Sequence, residues 1–217
     1  MFSAQSKRKE ALFIQFAREP IPGNVKTRMQ PQLSAVQACE LHCDLLLWAC
    51  EALCAAKLAD VEMWVAGDIR HPIFERCVAM GVSRLREQRG TDLGERMYDA
   101  INDGLKRYRK VILVGSDCPE IDARYLRSAL AALECKPLAL GPAMDGGYVL
   151  LGATRIDAGL FRGVAWGQAG VFAQTVARAA ALDESWSQLE TLADIDRPQD
   201  IALWHAIVRR NAKPAAL

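Results

Sequence analysis

Val111-Ile112-Leu113-Val114-Gly115-Ser116-Asp117-Cys118-Pro119 is the stretch on which the reading of this chain turns. Four consecutive apolar residues, three of them β-branched, read as a strand buried on both faces, which is the habit of a parallel sheet covered by helices. Gly115 and Ser116 break the run, and Pro119 prevents the strand from continuing. In open α/β sheets ligands bind at the carboxyl ends of the strands, and Asp117 stands at such an end. A carboxylate there suits Mg²⁺ or Mn²⁺, with substrate phosphates completing the coordination shell. The plain structural alternative is an N-cap for the following helix, but Asp122 is better spaced for that cap.

Working outward, 217 residues suit one α/β domain or two small ones, and no repeat, low-complexity tract or linker divides them. A formal charge of +1 leaves no global footprint for nucleic acid or an anionic membrane. No apolar run is long enough to span a bilayer, and the apolar stretch behind the basic N-terminus is too short for a signal peptide. The expectation is a cytoplasmic protein whose residues 1–10 form a flexible N-terminus. The seven cysteines fit that compartment. Cys39, Cys43, Cys50 and Cys54 recur at helical spacing beside Leu46, Leu47 and Leu53, as small hydrophobes on a core face. A zinc site with His42 is the sharper alternative, but close Cys-x-x-Cys pairs are missing.

Towards the N-terminus, Leu12 to Phe16 reads as the first strand. Pro20, Pro22 and Gly23 make the next segment a turn, beyond which Lys26 and Arg28 supply two cations. Such a loop after a first strand suits a diphosphate or triphosphate, although it is neither a Walker A sequence nor a dinucleotide fingerprint. A solvated basic loop is the alternative. Ser34 and Gln37 form a capping box for a long helix reaching towards Lys57. A strand from Val61 to Ala66, a helix from Pro72 to Met80 and a short strand near Ser83 to Arg86 follow. Thr91 or Asp92 then caps a helix striped by Leu93, Met97, Ile101 and Leu105.

Beyond the central strand come a helix from Asp122 to Leu133 and a strand from Leu138 to Leu140. The turn-rich Gly141 to Gly147 leads into a strand from Tyr148 to Leu151. Asp145, ahead of Gly146 and Gly147, is either a turn-former or a second acid in the same crevice. A helix from Val171 to Ala181 and a strand around Trp186 to Leu189 precede Asp194-Ile195-Asp196-Arg197-Pro198. Asp196 either caps the last helix with Gln199, or serves beside Asp117 as a second metal ligand, a role Asp194 could also take.

Four segments together resemble the DUF2064 family of glycosyltransferase-A-like proteins, also known as radical-SAM/selenodomain-associated transferases: Phe16-Ala17-Arg18 through Lys26-Thr27-Arg28, Asp92 to Met97, Gly115 to Pro119, and Gly141-Pro142 through Tyr148. The resemblance implies a three-layer α/β/α nucleotide-diphospho-sugar transferase fold, with a mixed, mainly parallel sheet and one transferase domain over residues 1–217. It implies Mg²⁺ or Mn²⁺ on Asp117, and nucleotide contacts at Ala17, Arg18, Gly23, Lys26, Arg28, Asp92, Gly94, Gly146 and Gly147. A more distant likeness of the Lys-Thr-Arg loop, Asp117 and Asp196-Arg197-Pro198 to nucleotidyltransferases of the same superfamily implies Asp196 as the second metal carboxylate. Lys26, Arg28 and Asp145 become the catalytic candidates. Two departures stand out: Trp166-Gly167-Gln168 replaces a Trp-Ser-Thr-like segment, and a single acid replaces the Asp-x-Asp motif of glycosyltransferases. The expected activity is transfer of a sugar from a nucleotide-sugar to a small acceptor. Nucleotidyl transfer with release of pyrophosphate is the alternative, and a non-catalytic nucleotide-binding module is a third.

Overall fold

The structure, a computed structural model, describes residues 8–30 and 32–211. Seven strands form one sheet in the order β3-β2-β1-β4-β6-β5-β7: β1 (Lys9–Arg18), β2 (Asp60–Ala66), β3 (Arg84–Glu87), β4 (Tyr108–Val114), β5 (Leu138–Pro142), β6 (Tyr148–Ala153) and β7 (Trp186–Gln188). β1 runs parallel to both β2 and β4, β2 to β3, and β5 to β7. Only β6 is reversed, antiparallel to β4 and β5 on either side. The mixed, mainly parallel sheet is the one the family resemblance implies.

Both faces of the sheet are buried, and side chains alternate between them. Phe13 of β1 and Ile112 and Val114 of β4 enter the core beneath α1 (Ala35–Ala56), α2 (Pro72–Met80) and α4 (Ala123–Cys135). Leu12, Ile14 and Phe16, with Val111 and Leu113, face α3 (Leu93–Arg107) and α5 (Val171–Ala181). This period-two exchange makes continuous apolar runs the signature of a sheet covered on both sides. α6 (Ile201–Asn211) closes a third, smaller core, where Trp204 meets Trp48 edge-on at 5.3 Å. No helix among the described residues is long and apolar enough to cross a membrane.

The caps follow local chemistry. Ser34 and Gln37 form their reciprocal box, Asp92 accepts from Glu95 N at 2.8 Å, and Asp122 accepts from Tyr125 N at 2.8 Å. Asp122 thus takes the cap and leaves Asp117 without one to make. The cysteine face is likewise a core feature: Cys50 and Cys77 are fully buried among Leu46, Leu53 and Phe74, and His42 Nε2 lies 3.0 Å from the Arg18 carbonyl.

Two expectations need correction. The flexible N-terminus does not extend to residue 10: β1 begins at Lys9, whose ammonium meets Asp60 at 2.7 Å, so ladder pairing extends the strand past its apolar residues. Residues 1–7 of that expectation lie outside the described residues. Asp196 does not cap the last helix with Gln199. A 3₁₀ turn over Pro198–Asp200 precedes α6, and the Asp200 carboxylate accepts from the backbone N–H of Asp196 at 3.0 Å and of Arg197 at 2.7 Å. The Asp196 side chain is thereby released towards the sheet.

Candidate functional site

The carboxyl ends of β1 and β4 lie side by side, because the strands pair in parallel register from Lys9↔Tyr108 to Gln15↔Val114. Both chains leave the sheet there. Ser116 ties the exits together: its hydroxyl donates to the Phe16 carbonyl at 2.8 Å and accepts from the buried Gln15 amide at 3.0 Å. After β1 the chain reaches Lys26, a non-glycine residue in the left-handed region at φ 49°. That conformation costs on the order of 1–3 kcal/mol. It is held by the 3₁₀ turn that follows, where Met29 N–H donates to the Lys26 carbonyl at 2.9 Å and the Met29 side chain is fully buried.

The reward for that geometry is the position of the Lys26 ammonium. Its side chain is 2% exposed, and Nζ lies 2.8 Å from Asp117 Oδ1 and 3.9 Å from Asp196 Oδ1. Nζ also donates to the Ile195 carbonyl at 2.5 Å. Asp117 Oδ1 is buried against the ammonium without a well-aligned hydrogen bond, so the contact is an ion pair first. Asp196 Oδ2 accepts from Arg28 Nη1 at 2.7 Å, and Arg28 Nη2 donates to the Gly167 carbonyl at 3.1 Å. Backbone bonds lace the distant segment into place: Ile195 N–H donates to the Asp117 carbonyl at 2.9 Å, and Leu192 N–H to the Pro142 carbonyl at 3.1 Å. The turn after β5 presents Asp145, whose Oδ1 accepts from Gly147 N–H at 2.8 Å. A cavity of about 220 Å³ lies beside this cluster and is lined by both Asp145 and Arg28.

The family model described as "Uncharacterized protein conserved in bacteria (DUF2064)" matches residues 49–168. The chain belongs to this family. A protein from Desulfovibrio desulfuricans G20, provisionally named a nucleotide-diphospho-sugar transferase, is 30% identical and superposes with a TM-score of 0.82, over 94% of this chain and 90% of its own. More distant structures share the fold. The 4-diphosphocytidyl-2C-methyl-D-erythritol synthase of Anaerococcus prevotii gives a TM-score of 0.63 at 10% identity, covering 96% of this chain and 100% of its own. Glucosyl-3-phosphoglycerate synthase of Mycobacterium tuberculosis, in complex with Mg²⁺ and UDP, gives 0.53 at 10% identity, covering 98% and 82%. A search of curated proteins finds no match.

In this DUF2064 protein Lys26, Arg28, Asp117 and Asp196, chosen from three separate stretches of sequence, form one connected cluster. Asp145 is both things the sequence allowed: a turn-former through Oδ1 and an acid lining the cavity. Gly146, at φ 91°, and Gly147 complete that turn; Gly147 also lines the cavity. Gly23, at φ 88°, has open space where a Cβ would stand. The Ala17 and Arg18 carbonyls are occupied from within the protein, by Gln88 Nε2 at 3.0 Å and by His42 Nε2 at 3.0 Å. Asp92 is the cap of α3, and Gly94 is packed against Trp166 and Phe161, where an added Cβ would lie 2.7 Å and 2.8 Å from side-chain atoms. Both positions therefore have a structural duty of their own.

Asp194 was readable only as an alternative to Asp196, yet it is the most perturbed acid of the cluster. Burial, then the Asp145 carboxylate, push its pKa up to about 6. Burial lowers the pKa of His42, which leaves a neutral ring beside the cluster. The Arg28 guanidinium is raised further by its hydrogen bond to Asp196. Sequence reasoning missed Phe16 and Tyr148 as cavity walls and Gln15 with Ser116 as the tether. A polar Gln15 inside an otherwise apolar strand was the available signal.

Proposed function

We propose that this protein is a metal-dependent transferase that moves a sugar from a nucleotide-diphospho-sugar to the hydroxyl of a small-molecule acceptor. The single observation that carries the reading is the Lys26 ammonium held between Asp117 and Asp196, with Arg28 on the outer oxygen of Asp196. The description of the 30% identical relative as a nucleotide-diphospho-sugar transferase supports the choice of donor. We take residues 1–217 as one transferase domain, because a single sheet carries every element of the site, and we place it in the cytoplasm, where its free thiols would stay reduced.

The donor set suits a hard divalent cation. Asp117 and Asp196 offer carboxylate oxygens with 44% and 26% of their side chains exposed, and a group of three or more ligating side chains is absent among the described residues. That is the manner of Mg²⁺, which takes one or two carboxylates and completes its shell with substrate phosphates and water. When bound it would neutralise phosphate charge and stabilise the leaving group. Arg28, half exposed, would hold the diphosphate and meet the charge that develops on its oxygen as the glycosidic bond breaks, while the buried Lys26 would fix the two acid-bearing segments that frame it. Asp145, with Oδ2 free of the turn, would orient the acceptor hydroxyl and take its proton. The acceptor oxygen forms the new bond to the anomeric carbon, the bond from that carbon to the phosphate oxygen breaks, and the nucleoside diphosphate departs.

A second reading is favoured by one observation: β4 ends in a single acid rather than an Asp-x-Asp pair. In nucleotidyl transfer the acceptor oxygen would attack the α-phosphorus of a triphosphate, and pyrophosphate would leave past the same two cations. A thermal-shift screen of nucleoside triphosphates and sugar nucleotides, with and without Mn²⁺, decides between them, since a ligand of the folded state raises the melting temperature by mass action. A Mn²⁺-dependent shift with a sugar nucleotide, lost in Asp117→Ala, supports sugar transfer. A shift with a triphosphate alone supports the second reading, and no shift with any nucleotide refutes both.

A further inference from the structure

The 220 Å³ cavity beside the charged cluster has walls of a different character. Phe16, Leu93, Met97, Leu113, Tyr148 and Trp166 are among its apolar walls, while Arg28 and Asp145 contribute charge and Gln168 an amide. Its volume is below the roughly 300–1,000 Å³ of pockets that enclose a whole drug-sized ligand, so it suits one part of a substrate rather than a nucleotide-sugar. The Trp166 ring forms part of the wall with its indole N–H buried, and the Tyr148 hydroxyl reaches the Met97 thioether at 3.7 Å and the Thr175 side chain.

The cavity is also preformed. Gly94 permits α3 to lie against the Trp166 ring, which meets Phe161 at 6.2 Å and Tyr148 edge-on at 6.5 Å. The apolar surface continues outward, for Leu93 is 43% exposed at the wall and Met144, next to Asp145, is 74% exposed. A sugar would bring several hydroxyls against walls that are mostly apolar, where Arg28, Asp145 and Gln168 are the few side chains able to pair them, which is costly. A nucleobase would meet the same difficulty with its polar edge.

We propose that this cavity is the acceptor subsite, and that the acceptor is an uncharged alcohol or phenol with an apolar body. Its hydrocarbon or ring lies against Phe16, Met97 and the Trp166 ring, and its reacting hydroxyl faces Asp145 and Arg28. The inference rests on the transferase reading for the reaction, but the cavity's preference can be tested by itself.

The test follows the Trp166 indole resonance of ¹⁵N-labelled protein, assigned with Trp166→Phe, during titration with benzyl alcohol, 1-hexanol, glycerol 3-phosphate and uridine. The expected result is a saturable shift with the two apolar alcohols and none with the other two. Gly115 lines the cavity, has no unusual φ and has open space where its Cβ would point, so Gly115→Leu fills the cavity and should abolish the shift. If that variant fails to fold, Leu93→Asp on the exposed wall replaces it. A shift with glycerol 3-phosphate or uridine but not the alcohols, or alcohol shifts that survive the substitution that folds, overturns the inference. Where a sugar nucleotide is turned over, benzyl alcohol should speed release of the nucleoside diphosphate by roughly tenfold or more over glycerol 3-phosphate. Nucleotide-dependent melting on the same preparations judges the transferase reading separately: its failure leaves the resonance test standing, and turnover with polar acceptors alone refutes only the cavity's assignment.

Discussion

Lys26→Met separates a structural ion pair from an ordinary surface one. Methionine keeps the length and apolar stem of the side chain but removes the ammonium that touches Asp117 Oδ1, the Ile195 carbonyl and, more distantly, Asp196. Leaving the Ile195 carbonyl without its donor costs roughly 1–3 kcal/mol. Removing one partner of a fully buried pair costs about 3–5 kcal/mol. Asp117 is 44% exposed and can turn to water, so its share falls to about 1–2 kcal/mol. The sum is about 3 kcal/mol, which for a chain of this size corresponds to roughly 6–12 °C in melting temperature. Urea unfolding of the wild type, Lys26→Met, Asp117→Asn and the double variant measures it directly, and the cycle should return a coupling of about 1–2 kcal/mol. A loss below about 0.5 kcal/mol with no coupling would equal the value of an exposed pair and refute the argument.

Three other substitutions probe different parts of the site. Gly94→Ala gains up to about 1 kcal/mol of helix propensity but forces a Cβ to 2.7 Å from the Trp166 ring, an overpacking cost of about 1–3 kcal/mol, so calorimetry should show a net loss and Trp166 fluorescence should change. Asp194, with its carboxyl raised to about 6 in the folded chain against about 4 in an unfolded one, favours the folded state only while protonated. That stabilisation is complete below about pH 4 and lost as the pH rises through 6; Asp194→Asn should therefore melt higher than the wild type at pH 7.5 and lose the advantage at pH 4. Asp145→Asn should keep the turn's bond to Gly147 N–H and nucleotide binding, while turnover falls by roughly 10²–10⁴-fold; an unchanged rate would remove Asp145 from the chemistry.

The frame of the fold was legible because it depends on local signals. The Val111–Val114 run, the Asp122 cap and the Ser34–Gln37 box each specify their own element, and the structure keeps all three. The site was legible only as separate parts. Nothing near Lys26 indicates that its ammonium is buried between acids 91 and 170 positions away, since tertiary bonds such as Ile195–Asp117 and Leu192–Pro142 bring the last segment beside it. Asp196 matched a capping-box spacing, but Pro198 starts a 3₁₀ turn and Asp200 wins the backbone donors. Gly94 differs: the resemblance made it a nucleotide contact, whereas the tryptophan 72 positions later packs against it.

The charge balance of the cluster supplies the strongest physical case for a metal. Four carboxylates, Asp117, Asp145, Asp194 and Asp196, act on two cations, Lys26 and Arg28. Even with Asp194 protonated, the acids exceed the bases by one. A nucleoside diphosphate adds further negative charge, which such a cluster would repel at the distances seen here. Lys26 cannot correct this, because its ammonium is already committed to Asp117 and the Ile195 carbonyl. Asp117 and Asp196 would hold a divalent cation as ligands, and its charge would offset the excess of acids. Lys26 would then hold the two acid-bearing segments together, and the half-exposed Arg28 would be the cation with room to follow a leaving phosphate.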